Sequence, residues 1–278
     1  MQIIGLFLVK NEDLHIEWVI RNVIDFCDKI YICDNYSIDG TWEILKRLKG
    51  ELSKIELHRV TQPKDSHRFI EEYAGTQTWV FAVDGDEVYD PQGLKRLRQK
   101  LLEGDYSQFF KLVGNTLHVD QINHDSKVAR GYLAPPAKNV TKLYNFNAVT
   151  VWRNPPYERL HGGEVIFRDG YNAELRFFFD REYQWENSPF RCLHFCFMRR
   201  SHQEKNVEKI SRKNIDENPN TFTQFRWTKT ILQWLRLEKN SEGPSKWKLE
   251  NYAVGEKVER SIQKFEPPMD TMGSLIAE

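Results

Sequence analysis

The 278-residue chain has only four cysteines, too few for a disulfide framework at this length, so a reducing compartment is expected. It also lacks a charge excess: Lys plus Arg and Asp plus Glu each number 40, and the formal net charge is zero. Without that excess a general electrostatic grip on nucleic acid is not expected, and no nucleic-acid partner is predicted. No stretch approaches the roughly 20 apolar residues that a membrane-spanning helix needs. The segment Met1 to Val9 carries no basic residues ahead of its apolar run, which is too short for a secretory signal, so the sequence predicts a cytoplasmic protein. Without such a signal the sequons Asn35-Tyr36-Ser37 and Asn139-Val140-Thr141 carry little weight. There is no internal repeat and no low-complexity tract. What remains is a chain long enough to bury a substantial core as one large domain, or as one domain with an appendage.

The first hundred residues alternate strand and helix signals. Ile3 to Val9, Lys29 to Cys33, Ile55 to Val60 and Trp79 to Val83 are short β-branched and aromatic runs that read as buried strands. Between them, Leu14 to Phe26 has Trp18, Val19, Val23 and Phe26 at helical spacing. Asp39 reads as the cap of a helix over Thr41 to Leu48 that stops at Gly50, and Asp90-Pro91 opens another over Gln92 to Leu102. This alternation predicts an α/β fold with a mostly parallel sheet flanked by helices. Further on, Tyr106 to Leu117 and Val140 to Trp152 read as strands separated by a polar, Gly- and Pro-containing loop over Asp120 to Lys138. A strand-like run starts at Arg191. Residues from about 202 to 240 read as a charged helix, and the last twenty or so as weakly ordered.

Three strand ends carry polar clusters: Lys10-Asn11-Glu12, Asp34-Asn35, and Asp84-Gly85-Asp86-Glu87. In a parallel sheet the carboxyl ends lie along one edge, where open α/β folds bind ligands. Glu12 and Asp34 are therefore placed to accept hydrogen bonds from a nucleobase or ribose. Two carboxylates one residue apart, Asp84 and Asp86, can hold a hard divalent cation while leaving positions for phosphate oxygens. Asp86 is the expected direct ligand, with Asp84 on the ribose or on the metal and its water, while Glu87 orients its neighbours or the acceptor. The bland alternative, an acidic turn after a strand with Gly85 making it tight, needs no ligand. Lys10, Arg199 and Arg200 are candidates to neutralise a departing diphosphate.

Val9-Lys10-Asn11-Glu12, then Asp34-Asn35-Tyr36-Ser37-Ile38-Asp39-Gly40-Thr41, then Asp84-Gly85-Asp86-Glu87, in that order, resemble the motifs of glycosyltransferase family 2 over about the first 110 residues. The resemblance implies a GT-A fold, a nucleoside-diphosphate-sugar donor, Mn2+ or Mg2+ as cofactor, a glycan or lipid-linked acceptor, and transfer with inversion. It divides the chain into a nucleotide-sugar-binding half (1–110), an acceptor-binding half (111–201) and a C-terminal helical extension and tail (202–278). The donor set it implies is Lys10, Glu12, Asp34, Asn35, Asp39, Asp84, Gly85 and Arg199. The metal set is Asp86, Asp84 and His194, because Leu193-His194-Phe195 looks like the element that supplies a metal-binding histidine. His161-Gly162-Gly163-Glu164 resembles the element that carries a general base. Glu164 is accordingly the leading candidate for that carboxylate, followed by Glu158 and Asp120.

Other readings stay open. Cys192, His194 and Cys196 would share a strand face, although a zinc site there lacks a fourth ligand and the usual spacing. Trp227, Ile231, Trp234 and Leu235 share one face of a basic helix over residues 225–237, which can lie on the inner face of a membrane or pack on the domain. A sugar-1-phosphate nucleotidyltransferase would want a Gly-rich phosphate loop where Lys10-Asn11-Glu12 stands. A non-catalytic glycan-binding protein would be expected to have lost its acidic turn.

Overall fold

The chain is described here by a computed structural model covering residues 1–204 and 246–266. At its centre lies β1 (Gln2–Val9), buried from Ile3 onward. Such a strand, apolar on both faces, suits a sheet covered on both sides. β2 (Lys29–Asp34) and β4 (Thr78–Asp84) flank it in parallel, and β3 (Ile55–Arg59) lies beyond β2. Past β4 the sheet continues through antiparallel β9 (Lys142–Asn145) to β6 (Lys111–Val113) and β12 (Arg176–Phe178), seven strands in all. The helices α1 (Ile16–Val23), α2 (Thr41–Glu51) and α3 (Pro91–Leu102) make the crossovers, and a single turn, α4 (Phe179–Glu182), follows β12. α1 buries Ile16, Val19, Ile20 and Val23, the stripe that helical spacing predicts. In register, Leu8 faces Asp84 and Val9 faces Asp34. Three strands therefore finish level, and the polar residues after them open on one edge.

A second sheet sits against that edge. It contains β14 (Lys257–Ser261), β8 (Val128–Leu133), β7 (Asn115–Asn123), β13 (Arg191–His194) and β5 (Glu87–Tyr89), in that order. β5 starts at the end of the acidic turn and pairs antiparallel with β13, placing Glu87 opposite His194. On its other side β13 runs parallel to β7, with His194 beside His118.

Several expectations are corrected. The strand expected over Tyr106 to Leu117 is two strands in different sheets, hinged at Gly114. A Cβ there would lie 2.6 Å from the Phe190 carbonyl oxygen and 2.5 Å from Thr141 Cγ2, so only glycine lets the chain cross. The strand expected over Val140 to Trp152 breaks at Phe146–Ala148, where Asn145 Oδ1 accepts the Asn147 N–H at 3.1 Å, and resumes as β10 (Val149–Arg153), paired with β11 (Glu164–Phe167). Residues 120–138 are no continuous loop, since β7 and β8 form a hairpin within them. α2 runs through Gly50 to Glu51. Near the C-terminus, β14 pairs with β8 and Phe265 is buried, its carbonyl accepting from Trp18 Nε1 and Asn22 Nδ2 at 2.6 Å each.

The helix expected over 202–240, including the 225–237 stripe, falls outside the described residues apart from its first three. Beyond residue 204 the description resumes with α5 (Lys246–Tyr252), which joins the wall of the site. Among the described residues no helix is long and apolar enough to cross a membrane.

One buried ion pair ties the start of α3 to β13 of the second sheet. Asp90 caps α3 through the Gly93 N–H at 2.9 Å and accepts from Arg191 Nη2 at 2.8 Å, while Arg191 Nη1 donates to the Trp185 carbonyl at 2.6 Å. Asp90→Ala removes the cap and strands a buried guanidinium, an expected loss of about 3–5 kcal/mol. Urea denaturation checks this, and an unchanged midpoint would contradict it.

Candidate active site

The loops after β1 and β2 are laced together before either reaches a ligand. Asn11, at φ 55°, donates its N–H to Ser37 Oγ at 3.0 Å and accepts the Ile38 N–H at 2.9 Å. Left-handed backbone of this kind is tolerated by asparagine. The Glu12 N–H bonds Thr41 Oγ1 at 2.8 Å, and Asp39 accepts from the Thr41 N–H at 3.0 Å and from Ser201 Oγ at 2.6 Å. Although burial opposes it, the Ser201 and Thr41 hydrogen bonds hold the Asp39 carboxyl below the usual range. Asp39 thus braces the start of α2 and lies off the cavity wall. Asp34, fully buried, accepts the Ser37 N–H at 3.2 Å and faces Arg59 Nε at 3.5 Å. Its carboxyl is raised by burial. Asn35 does line the cavity. Its oxygen takes Lys10 Nζ at 3.1 Å, and its amide donates to the Val60 and Thr61 carbonyls.

At the end of β4 four carboxylates meet. Gly85 is required there because a Cβ would fall 1.7 Å from Glu12 Oε2. Asp84, 43% exposed in its side chain, pairs with Arg159, which also donates to the Val83 carbonyl at 3.1 Å. Asp86 is 2% exposed and Glu12 4%. Arg200 Nη1 donates to both, at 2.7 Å to Asp86 Oδ2 and 3.0 Å to Glu12 Oε1. Glu87 accepts the Tyr89 hydroxyl at 2.6 Å.

These environments split the protonation states. Burial raises Glu12 well above the carboxylate range, and burial with Asp84 nearby pushes Glu87 up to about 8. Burial also opposes ionisation of Asp86, but neighbouring positive charge, Arg200 foremost, outweighs it and brings that carboxyl down to about 2. At neutral pH Asp86 is therefore a charged carboxylate beside a Glu87 whose carboxyl is held at about 8.

His194 completes the group. Its Nε2 lies 3.8 Å from Asp86 Oδ1, and its Nδ1 hydrogen-bonds His118 Nδ1 at 2.8 Å. Carboxylate oxygen suits Mn2+ or Mg2+, and an added imidazole nitrogen favours the softer Mn2+ of the two. The gap between Asp86 Oδ1 and His194 Nε2 is one that a cation with bonds of about 2 Å can span, and Glu12 Oε2, against Gly85 in the same turn, is buried without a hydrogen-bond partner among the described residues. The residues fit a divalent cation. The sulfur-containing alternative does not form as expected, because Cys192 Sγ turns to Thr116 Oγ1 at 3.8 Å. His118, His194 and Cys196 do cluster, but the 2.8 Å bond between the imidazoles fills the space between those nitrogens.

The cavity over this floor measures about 510 Å³. Of the three candidate bases only Glu158 lines it. Its carboxylate accepts from His161 Nδ1 at 2.9 Å. Burial raises its pKa, but His161 and Arg159 bring it down to about 2. Glu164 stands on exposed β11 in a two-bond pair with Arg153, at 2.8 and 3.0 Å. Gly162 and Gly163, at φ 75° and 98°, swing the chain away between the two glutamates. Asp120 sits on β7 paired with Arg130 and Lys257. Arg199 offers its carbonyl to His15 Nε2 at 2.9 Å, and its neighbour Arg200 lines the cavity in its place. Arg159, Lys142, Trp247, Lys248 and Tyr252 also line the cavity. Sequence reasoning missed them because each is a single residue in a loop, at a strand end or in a short helix. The run Tyr157-Glu158-Arg159, with two charges following Pro155-Pro156, was the one available signal.

Residues 8–206 match the sequence profile of Glycosyl transferase family 2. No curated protein matches the chain in sequence. Among solved structures the chain is similar to S. aureus TarS 1–349 in complex with UDP, at 15% identity and TM-score 0.37, covering 52% of this chain and 47% of that one. It is also similar to HddC from Yersinia pseudotuberculosis (10% identity, TM-score 0.35, 64% and 90% covered). A further likeness is to a UDP-glucose pyrophosphorylase complexed with UDP-glucose (12% identity, TM-score 0.32, 52% and 76% covered). The chain spans about half the length of the TarS chain it matches. With the family profile running from β1 past the acidic turn and β13, on a mixed sheet of GT-A type, the chain belongs to glycosyl transferase family 2.

Proposed function

We propose that this protein transfers a sugar from a nucleoside diphosphate to a hydroxyl of a glycan or lipid-linked acceptor, with a divalent cation and with inversion at the anomeric carbon. The observation that carries this reading is the placement of Asp86 and His194 on the floor of one cavity that has Glu158 in its wall. Asp86 and His194 would hold Mn2+ or Mg2+, with Asp84 beside them. The bound cation supplies Lewis-acid neutralisation of the leaving diphosphate. Lys10, Arg159 and Arg200 add positive charge along the same wall. Arg200 already shares its guanidinium between Glu12 and Asp86, so it is oriented before any ligand arrives.

Glu158 accepts the proton of the acceptor hydroxyl. It is ionised at neutral pH, and His161 fixes one of its oxygens. Its low basicity means the proton moves late, when the hydroxyl oxygen has begun to bond to the sugar and has become acidic. A single displacement on the face opposite the diphosphate inverts the anomeric centre. Burying the reacting atoms under α5 limits access of water to the donor. A nucleotidyltransferase would instead present a glycine-rich phosphate loop after β1, where this chain has a buried glutamate.

Calorimetry with UDP, GDP and dTDP, with and without Mn2+, tests the donor reading, which predicts metal-dependent binding of at least one of them. Absence of such binding would overturn it. Asp86→Ala should abolish both the metal dependence and donor turnover while the thermal midpoint shows a folded protein. Glu158→Gln should cut transfer by about 10²–10⁴-fold and leave nucleotide affinity within about twofold. Unchanged turnover would exclude it as the base. The anomeric configuration of the product, read by NMR, tests inversion.

A further inference from the structure

His118 is buried on β7 and takes no part in the reaction proposed above, yet it touches the residue that does. Its ring stacks on Tyr252 with centroids 4.4 Å apart and planes 13° from parallel. Its Nε2 lies 2.8 Å from the Lys138 carbonyl oxygen. A carbonyl only accepts, so Nε2 carries hydrogen. The other nitrogen, Nδ1, is 2.8 Å from His194 Nδ1, and across that contact one nitrogen must donate and the other accept.

The polarity of the contact follows from charge. A doubly protonated His118 would be a buried cation, with a neutral carbonyl on one nitrogen, an imidazole on the other, and, among the described residues, no carboxylate hydrogen-bonded to it. Buried charge of that kind is strongly disfavoured. His118 is therefore neutral, its Nδ1 is the acceptor, and His194 Nδ1 is the donor. The Cys196 thiol, 3.7 Å from the same His118 nitrogen, is a weak donor and does not displace the imidazole. A neutral His194 that donates from Nδ1 keeps a lone pair on Nε2, the atom 3.8 Å from Asp86 Oδ1.

This arrangement opposes what the neighbourhood would otherwise favour. The Asp86 carboxylate is a stronger acceptor than an imidazole nitrogen, and left to itself it would draw the His194 proton to Nε2. That proton would then occupy the position a cation needs. We propose that His118 is a positioning residue: held by the Lys138 carbonyl, it takes the His194 proton on the far side of the ring and so keeps Nε2 open as a metal ligand facing Asp86. The metal part of this inference rests on the proposed function, whereas the tautomer stands on the hydrogen bonds alone. Outer partners that orient a ligating histidine commonly change metal affinity by about 10–100-fold when removed.

Two measurements on the full chain separate the parts. Long-range 1H–15N spectra of the metal-free protein, with His194 assigned by the signal lost in His194→Gln, should show an Nδ1–H tautomer for His194. They should show Nε2–H in His118→Leu and a return to Nδ1–H in His118→Gln, whose side-chain carbonyl can accept and whose amide can reach Lys138. An Nε2–H tautomer in the unsubstituted protein would overturn the proposal even if no variant folds. Mn2+ affinity, read by electron paramagnetic resonance with and without UDP, should fall about 10–100-fold in His118→Leu and be largely rescued in His118→Gln. Affinity unchanged in a folded His118→Leu would overturn the positioning role. An unsubstituted protein that shows the Nδ1–H tautomer yet binds no Mn2+ would overturn the metal reading and the positioning role with it, and leave only the tautomer assignment standing.

Discussion

Arg200 donates from a single nitrogen to Glu12 at 3.0 Å and to Asp86 at 2.7 Å, and the site depends on that shared guanidinium. Two carboxylates from different strand ends are buried side by side. Unit charges about 4 Å apart interact by about 4 kcal/mol even at an effective dielectric near 20. The conflict is resolved in two ways. Arg200 lowers the cost of an ionised Asp86, while burial raises the Glu12 carboxyl well above the usual carboxylate range. Gly85 supplies the space, since any side chain there would collide with the Glu12 carboxyl. Strand register, glycine and arginine together make a floor that is acidic and yet stable without a ligand.

The second sheet brings an imidazole to that floor. β5 leaves the acidic turn and pairs with β13, so the residue that follows Asp86 is fixed opposite His194. β7 lies on the far side of β13 and brings His118 behind the same imidazole. Donor chemistry thus arises where two sheets meet. The first sheet supplies the carboxylates and the second a histidine whose hydrogen-bonding state is set from behind. α5 then adds Trp247, Lys248 and Tyr252 to the wall, so a segment far along the chain helps to enclose the site.

The first half of this arrangement was legible in the sequence. The four apolar runs became four parallel strands, and their polar ends converge because parallel strands must finish along one edge. His194 was singled out by the family resemblance alone, and it does line the cavity. The second half was hidden for identifiable reasons. β5 has three residues and β8 contains a glycine packed on β7, so neither shows a strand period. The change of sheet at Gly114 depends on a crossing that composition does not reveal. Choosing Glu158 over Glu164 needs the left-handed turn at Gly162 and Gly163, and choosing Arg200 over Arg199 needs the direction of a loop. In each case a pattern marked the neighbourhood and backbone geometry selected the residue.

The central claim is that Asp86 and His194 share one divalent cation against a nucleoside diphosphate. Anomalous diffraction at the manganese edge, from crystals grown with Mn2+ and whichever nucleoside diphosphate binds, tests it directly. The account predicts one strong peak between Asp86 Oδ1 and His194 Nε2, within bonding distance of both and in contact with phosphate oxygens. A bound nucleotide with no peak there, or manganese held elsewhere in the cavity, would contradict it.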